Sequence, residues 1–140
     1  LSAVEALLRD KPGSTAEIFG APASSSAAPA PSVPGARRLA EDALGAWMGR
    51  VAVRRSGAVP RDRPSLAWVS DRFVVYRSEP QGGFALVWDV QLRSEAATET
   101  FERAILRTAR AVRVIRRNDR VLVLAAADPA FVDAAQAAYD

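Results

Sequence analysis

The chain has 140 residues, 49% hydrophobic and 25% charged, a balance that suits one globular domain with a real core. Its net charge is only +3 although its pI is about 10.1, and its basic residues are arginines apart from Lys11. It contains neither Cys nor His, which excludes disulfides, thiolate catalysis, Cys-bound zinc and the usual general base near neutral pH. No apolar run approaches the roughly 18 residues that a membrane helix needs. Residue 1 is Leu, and no signal-peptide pattern follows it. The expectation is a segment of a longer product.

Ser2 is placed to cap a short helix, "AVEALLRD", with Val4, Leu7 and Leu8 on one side. Pro12-Gly13 ends it, and "STAEIF" adds one more turn. Residues 20–35, "GAPASSSAAPAPSVPG", are rich in Pro, Ala and Ser and read as an extended linker with no core-forming capacity. From Ala36 to about Arg54 the pattern is helical, with Ala40, Leu44, Trp47, Met48 and Val51 on one stripe. Gly45 and Gly49, four apart, allow a close backbone approach. "SGAVPRDRP" is a loop.

Strand signals follow. "SLAWV" and "RFVVYR" are candidates, and "SEPQGG" turns the chain. "FALVWDVQL" alternates: Phe84, Leu86, Trp88, Val90 and Leu92 form a buried side, while Ala85, Val87, Asp89 and Gln91 form a wetter one. Ser94 caps the next helix, with Glu95 favourable in its first turn and Ala97, Phe101, Ala104, Ile105, Thr108 and Ala109 inside. "AVRVI" is a strand, and Asn118-Asp119 suits a two-residue hairpin turn because both tolerate positive φ. "RVLVLAAA" is apolar on both faces and belongs in the middle of the sheet. Asp128 caps the last helix, with Pro129 at its first position and Phe131, Val132, Ala135, Ala138 and Tyr139 facing inward.

The order β-β-α-β-β-α, after the initial helices and linker, predicts an α+β fold. It is a two-layer sandwich: a mostly antiparallel sheet of four or five strands with helices on one face. The units are an N-terminal helical segment (1–19), the linker (20–35) and the α+β domain (36–140).

Four stretches also resemble the C-terminal region of a family of uncharacterised bacterial proteins whose longer members carry an upstream HExxH zinc-peptidase-like region. That family reads "PPSTEQILHPEKY", "DTLGEL", "GWGGDRY" and "LVWRTVWDSEADAREF" in this order. Here "PGSTAEIF" matches at Pro12, Ser14, Thr15 and Ile18, and "DALGAW" at Asp42, Leu44 and Gly45. "AWVSDRF" matches at Trp68, Asp71 and Arg72. "LVWDVQLRSEAATETF" matches at Leu86, Val87, Trp88, Ser94, Glu95, Ala96 and Phe101. The "HPEKY" portion is replaced by the linker, and no HExxH is present, so no catalytic residue transfers. The resemblance implies a non-catalytic structural or interaction domain, C-terminal in a larger exported, metallopeptidase-like protein. The expected location is extracytoplasmic, and the expected partner is an upstream domain or another protein.

Candidate interaction residues are Trp68, Asp71, Arg72, Asp89, Arg113, Arg116 and Arg117. Asp71-Arg72 reads either as a polar pair at a groove or as an ion pair under an indole. Asp71, Glu79 and Asp89 would bind a hard cation only if the fold brought them together; a solvated sheet face is the plainer reading. Lys11 with Ser14 is the one conceivable Ser-Lys dyad, in a setting without a rigid site. Arg103, Arg107, Arg110, Arg113, Arg116, Arg117 and Arg120 offer the alternative function, a stand-alone module holding an anionic ligand. Interspersed Glu95, Glu99, Glu102 and Asp119, and the absence of exposed stacking aromatics, argue against nucleic acid. No catalytic residue, metal or cofactor is expected.

Overall fold

The computed structural model describes residues 30–57, 68–79 and 82–140, without the side chain of Trp47. The expected first helix, Lys11 and Ser14, most of the linker, most of the expected loop at 56–64 and the start of the strand expected at 65–69 lie outside the described residues. The elements are β1 (Ala36–Asp42), α1 (Gly45–Ser56), β2 (Trp68–Ser78), β3 (Phe84–Leu92), α2 (Glu95–Thr108), β4 (Val112–Arg117), β5 (Arg120–Ala126) and α3 (Pro129–Tyr139). The fold is α+β. Its five strands form one sheet in the order β1-β2-β3-β5-β4, and every neighbouring pair is antiparallel.

The continuous apolar run of β5 lies inside the sheet, between β3 and β4, as its composition requires. Asn118 takes the positive φ of the β4–β5 turn, at 40°, whereas Asp119 does not share it. Both expected caps form: the Ser94 side chain accepts from the Ala97 N–H, and Asp128 accepts from that of Ala130. Thr98, fully buried in α2, places its hydroxyl 2.7 Å from the Glu95 carbonyl oxygen and 2.9 Å from that of Asn118. It fastens the start of α2 to the β4–β5 turn.

Three expectations need correction. The helix expected from Ala36 begins only at Gly45. Residues 36–42 instead form β1, which pairs with β2 from Ala36↔Ser78 to Asp42↔Phe73. The expected stripe does not hold either: α1 turns Gly45, Gly49 and Val53 to the core with Leu44 beside them, while Met48 is exposed. Gly45, with φ of 73°, makes the break between strand and helix.

The linker also ends earlier than residue 35. Ala30 and Val33 are buried in the core, and the Tyr76 hydroxyl donates to the Pro31 carbonyl at 2.9 Å. Apolar Pro, Ala and Val side chains supply enough surface for this short segment to pack.

The wetter side of β3 is wet only at its far end. Ala85 and Val87 are buried with Val74, Tyr76, Leu122 and Leu124 beneath Phe131, Val132, Ala135 and Tyr139 of α3. The alternate residues Trp88, Val90, Leu92, Val121 and Val123 pack with Val53 of α1 and Phe101, Ala104 and Ile105 of α2. The expected layer of sheet against helices is made by α1 and α2. The shorter α3, with residues 30–33, closes over the other set of strand side chains. Alternation puts these two sets on opposite sides of the pleat.

Candidate functional site

Of the residues singled out by sequence, Trp68 and Asp71 meet at a corner where α1 and α2 approach β2 and β3. Trp68, Trp88 and Phe101 form an aromatic cluster with ring centroids 5.4–6.1 Å apart. Phe101 stands edge-on to both indoles, an arrangement that the ring quadrupoles favour. Gly49 is the close approach expected of the glycine pair. A Cβ there would lie 2.2 Å from the Trp68 ring, so only a glycine lets α1 rest on this indole.

Asp71 lies at the centre of the corner. Its Oδ2 accepts from the Leu44 N–H at 2.8 Å and from the Trp88 indole N–H at 2.9 Å. Its Oδ1 accepts from the Gly45 N–H at 2.9 Å and from the Trp68 indole N–H at 3.3 Å. The N-cap residue of α1, Leu44, has no capping side chain of its own. Asp71 supplies that cap from β2 and places negative charge at the positive end of the helix dipole. A carboxylate offers about four lone-pair sites, and four donors occupy them. That leaves Asp71 little capacity to act as a base or a cation ligand.

The expected Asp71–Arg72 pair does not form, because successive strand residues point to opposite faces. Arg72 turns to the α3 side and pairs with Glu41 at 3.4 Å. Asp89 is the cross-strand neighbour of Arg72 and forms a bidentate pair with Arg120. These hydrogen bonds hold the Arg120 guanidinium above its ordinary range. Glu79 lies just beyond β2 and approaches Arg37 at 3.9 Å. The three carboxylates considered for a cation are therefore apart: Asp71 faces α1, Asp89 the opposite side, and Glu79 the end of the sheet. Among the described residues no group of three His, Cys, Asp or Glu could hold a metal ion.

The arginines do not make one patch. Arg113 pairs with Asp133 of α3 at 2.5 Å, and Arg117 pairs with Asp140. Arg116, of opposite parity, pairs with Glu95 at 3.3 Å and Glu102 at 3.1 Å on α2. Period-two alternation in β4 carried this information. A shallow depression lies beside Arg117, Arg120 and Tyr139, floored by Ile115 and Leu122. At its edge the buried Tyr76 and Tyr139 hydroxyls are 3.1 Å apart. Tyr76 donates its single proton to Pro31, so Tyr139 donates to Tyr76. Burial raises both phenol pKa values above the ordinary value near 10.

The capping role of Asp71 was not read from sequence. The available signal was a helix start, Leu44-Gly45, without its own capping side chain. Comparison with known proteins finds no family model, curated protein or solved structure that matches the chain. Among the described residues no helix is long and apolar enough to cross a membrane.

Proposed function

We propose that this chain is a non-catalytic structural or protein-interaction domain, the C-terminal part of a larger exported, metallopeptidase-like bacterial protein. The observation that carries the non-catalytic reading is the fourfold engagement of Asp71. The side chain most suggestive of chemistry serves to join α1 to the sheet. The resemblance of the four sequence stretches supports the place in a longer protein. The alternative, an anionic ligand held by the arginines, loses support from the ion pairs of Arg113, Arg116 and Arg117 on two sides of the sheet.

The test is the intact mass and metal content of the polypeptide isolated from its source. A mass well above 15.0 kDa with bound zinc is expected. A zinc-free product near 15.0 kDa would overturn the larger-protein reading. Peptide hydrolysis by the purified chain, lost in Asp89→Asn, would overturn the non-catalytic one.

A further inference from the structure

Among the described residues β1 is an edge strand whose one neighbour is β2. Its residues from Arg37 to Asp42 are all exposed. The register with β2 sorts their side chains. Arg38 lies opposite Tyr76 and Glu41 opposite Val74, on the side covered by α3. Arg37 lies opposite Arg77 and Asp42 opposite Phe73, on the α1/α2 side. The register shift between Arg38 and Ala40 leaves Leu39 as a bulged residue. That shift puts Arg38 and Glu41 on one face, where they pair at 2.7 Å. On both faces the strand is thus basic in its first half and acidic in its second. Leu39, 41% exposed, sits between the halves.

We propose that β1 pairs antiparallel with β1 of a second copy, about a two-fold axis near Leu39 and Ala40. In that register Arg38 of each copy faces Glu41 of the other, and Arg37 faces Asp42. The face matching holds because the bulge is present in both strands. The exposed Arg38–Glu41 contact within one strand is exchanged for its equivalent between strands. Parallel pairing in register would instead oppose Arg37 to Arg37. Charges and a bulge ordinarily discourage edge pairing. Here the charge order discourages most strands and suits one of reversed polarity, which a second copy provides. The inference concerns the sheet edge alone and stands whether or not the chain has a longer parent.

One added strand buries little surface, so association is weak and concentration-dependent. The experiment is sedimentation equilibrium of the 140-residue chain from about 10 µM to 1 mM, in low and high salt. Wild type is compared with Arg38→Glu, with Glu41→Arg, and with an equimolar mixture of the two variants. Thermal melts confirm that each variant is folded, and the Arg38→Glu/Glu41→Arg double variant restores the charge pairing within one chain type. Wild type is expected to move from 15.0 kDa toward twice that mass, less so in high salt. Each single variant should associate about tenfold more weakly or worse, from like charges placed opposite each other. The mixture and the double variant should recover association. A monomer throughout overturns the proposal. So does a dimer indifferent to both single variants, or a loss that neither the mixture nor the double variant repairs.

Discussion

Replacing Asp71 by Asn is the most informative single perturbation of this fold. The side chain keeps its shape, but one acceptor oxygen becomes an NH2 group that cannot accept. In one amide orientation the remaining oxygen serves Gly45 N–H and Trp68 Nε1; in the other it serves Leu44 N–H and Trp88 Nε1. Either way two part-buried donors face another donor. Each unsatisfied donor costs about 1–3 kcal/mol, and loss of the anion at the helix start adds about 0.5 kcal/mol. Because the site is only part-buried and water can reach it, the low end applies, and the expected loss is about 2–4 kcal/mol. Urea unfolding followed by tryptophan fluorescence and far-UV circular dichroism measures it. Amide exchange at Leu44 and Gly45 should also quicken, because those N–H groups lose a charged acceptor. An Asn variant within about 0.5 kcal/mol of wild type, with both amides still protected, would refute the reasoning, since that is the scatter of ordinary surface changes.

Gly49→Ala should lower the melting temperature even though helix propensity favours Ala by about 1 kcal/mol. The new Cβ would lie 2.2 Å from the Trp68 ring, and overpacking of this kind costs about 1–3 kcal/mol; a raised melting temperature would contradict it. Ala111, between α2 and β4, holds φ at 57°, where Cβ is strained. Ala111→Gly should therefore stabilise by about 0.5 kcal/mol, strain relief being partly offset by the extra freedom of the unfolded chain; a lower urea midpoint would show the strain argument to be wrong. The raised phenol pKa values of Tyr76 and Tyr139 make the neutral forms the ones the fold prefers. Their contribution is complete below the unfolded phenol value of about 10 and is lost as pH rises through the higher folded values. Unfolding free energy should thus fall more steeply above about pH 10 in wild type than in Tyr139→Phe; parallel curves would count against it.

The elements whose period was long and undisturbed were legible in the sequence. The strand period of β3, the Ser94 and Asp128 caps, and the two-faced apolar run of β5 each carried a local signal that the fold respected, although Ala85 and Val87 of β3 are buried where a wetter side is expected and Phe84 is exposed where a buried one is. The signal failed where a tertiary partner decided the outcome. Residues 36–42 have weak local preference, and pairing with β2 makes them a strand. Val33 is one apolar residue in a low-complexity stretch, and its burial depends on the Tyr76 hydroxyl and the α3 side of the sheet. The candidate site was found in part: Trp68 and Asp71 do meet, but with Trp88, Gly49 and the start of α1. Asp71 lies 27 residues beyond Leu44 in sequence, and no local pattern encodes a cap so distant. The arginines cluster along the chain, whereas strand alternation sends Arg113 to α3 and Arg116 to α2.

The sheet order has a consequence for how the chain is made. The strand at its interior, β5, is the last strand to be synthesised, and α3, which closes one side, follows it. A nascent chain that has reached the end of β4 holds β1, β2 and β3 with the outer edge of β3 open. It also holds a fourth strand with nothing to pair against. At about 5–20 residues per second, that state persists for seconds before residues 120–140 emerge. Cooperative closure of the sheet therefore waits for residues 120–140. Loss of the last two elements would be expected to leave a sticky half-sheet, open to chaperones and to aggregation, and not a smaller folded domain.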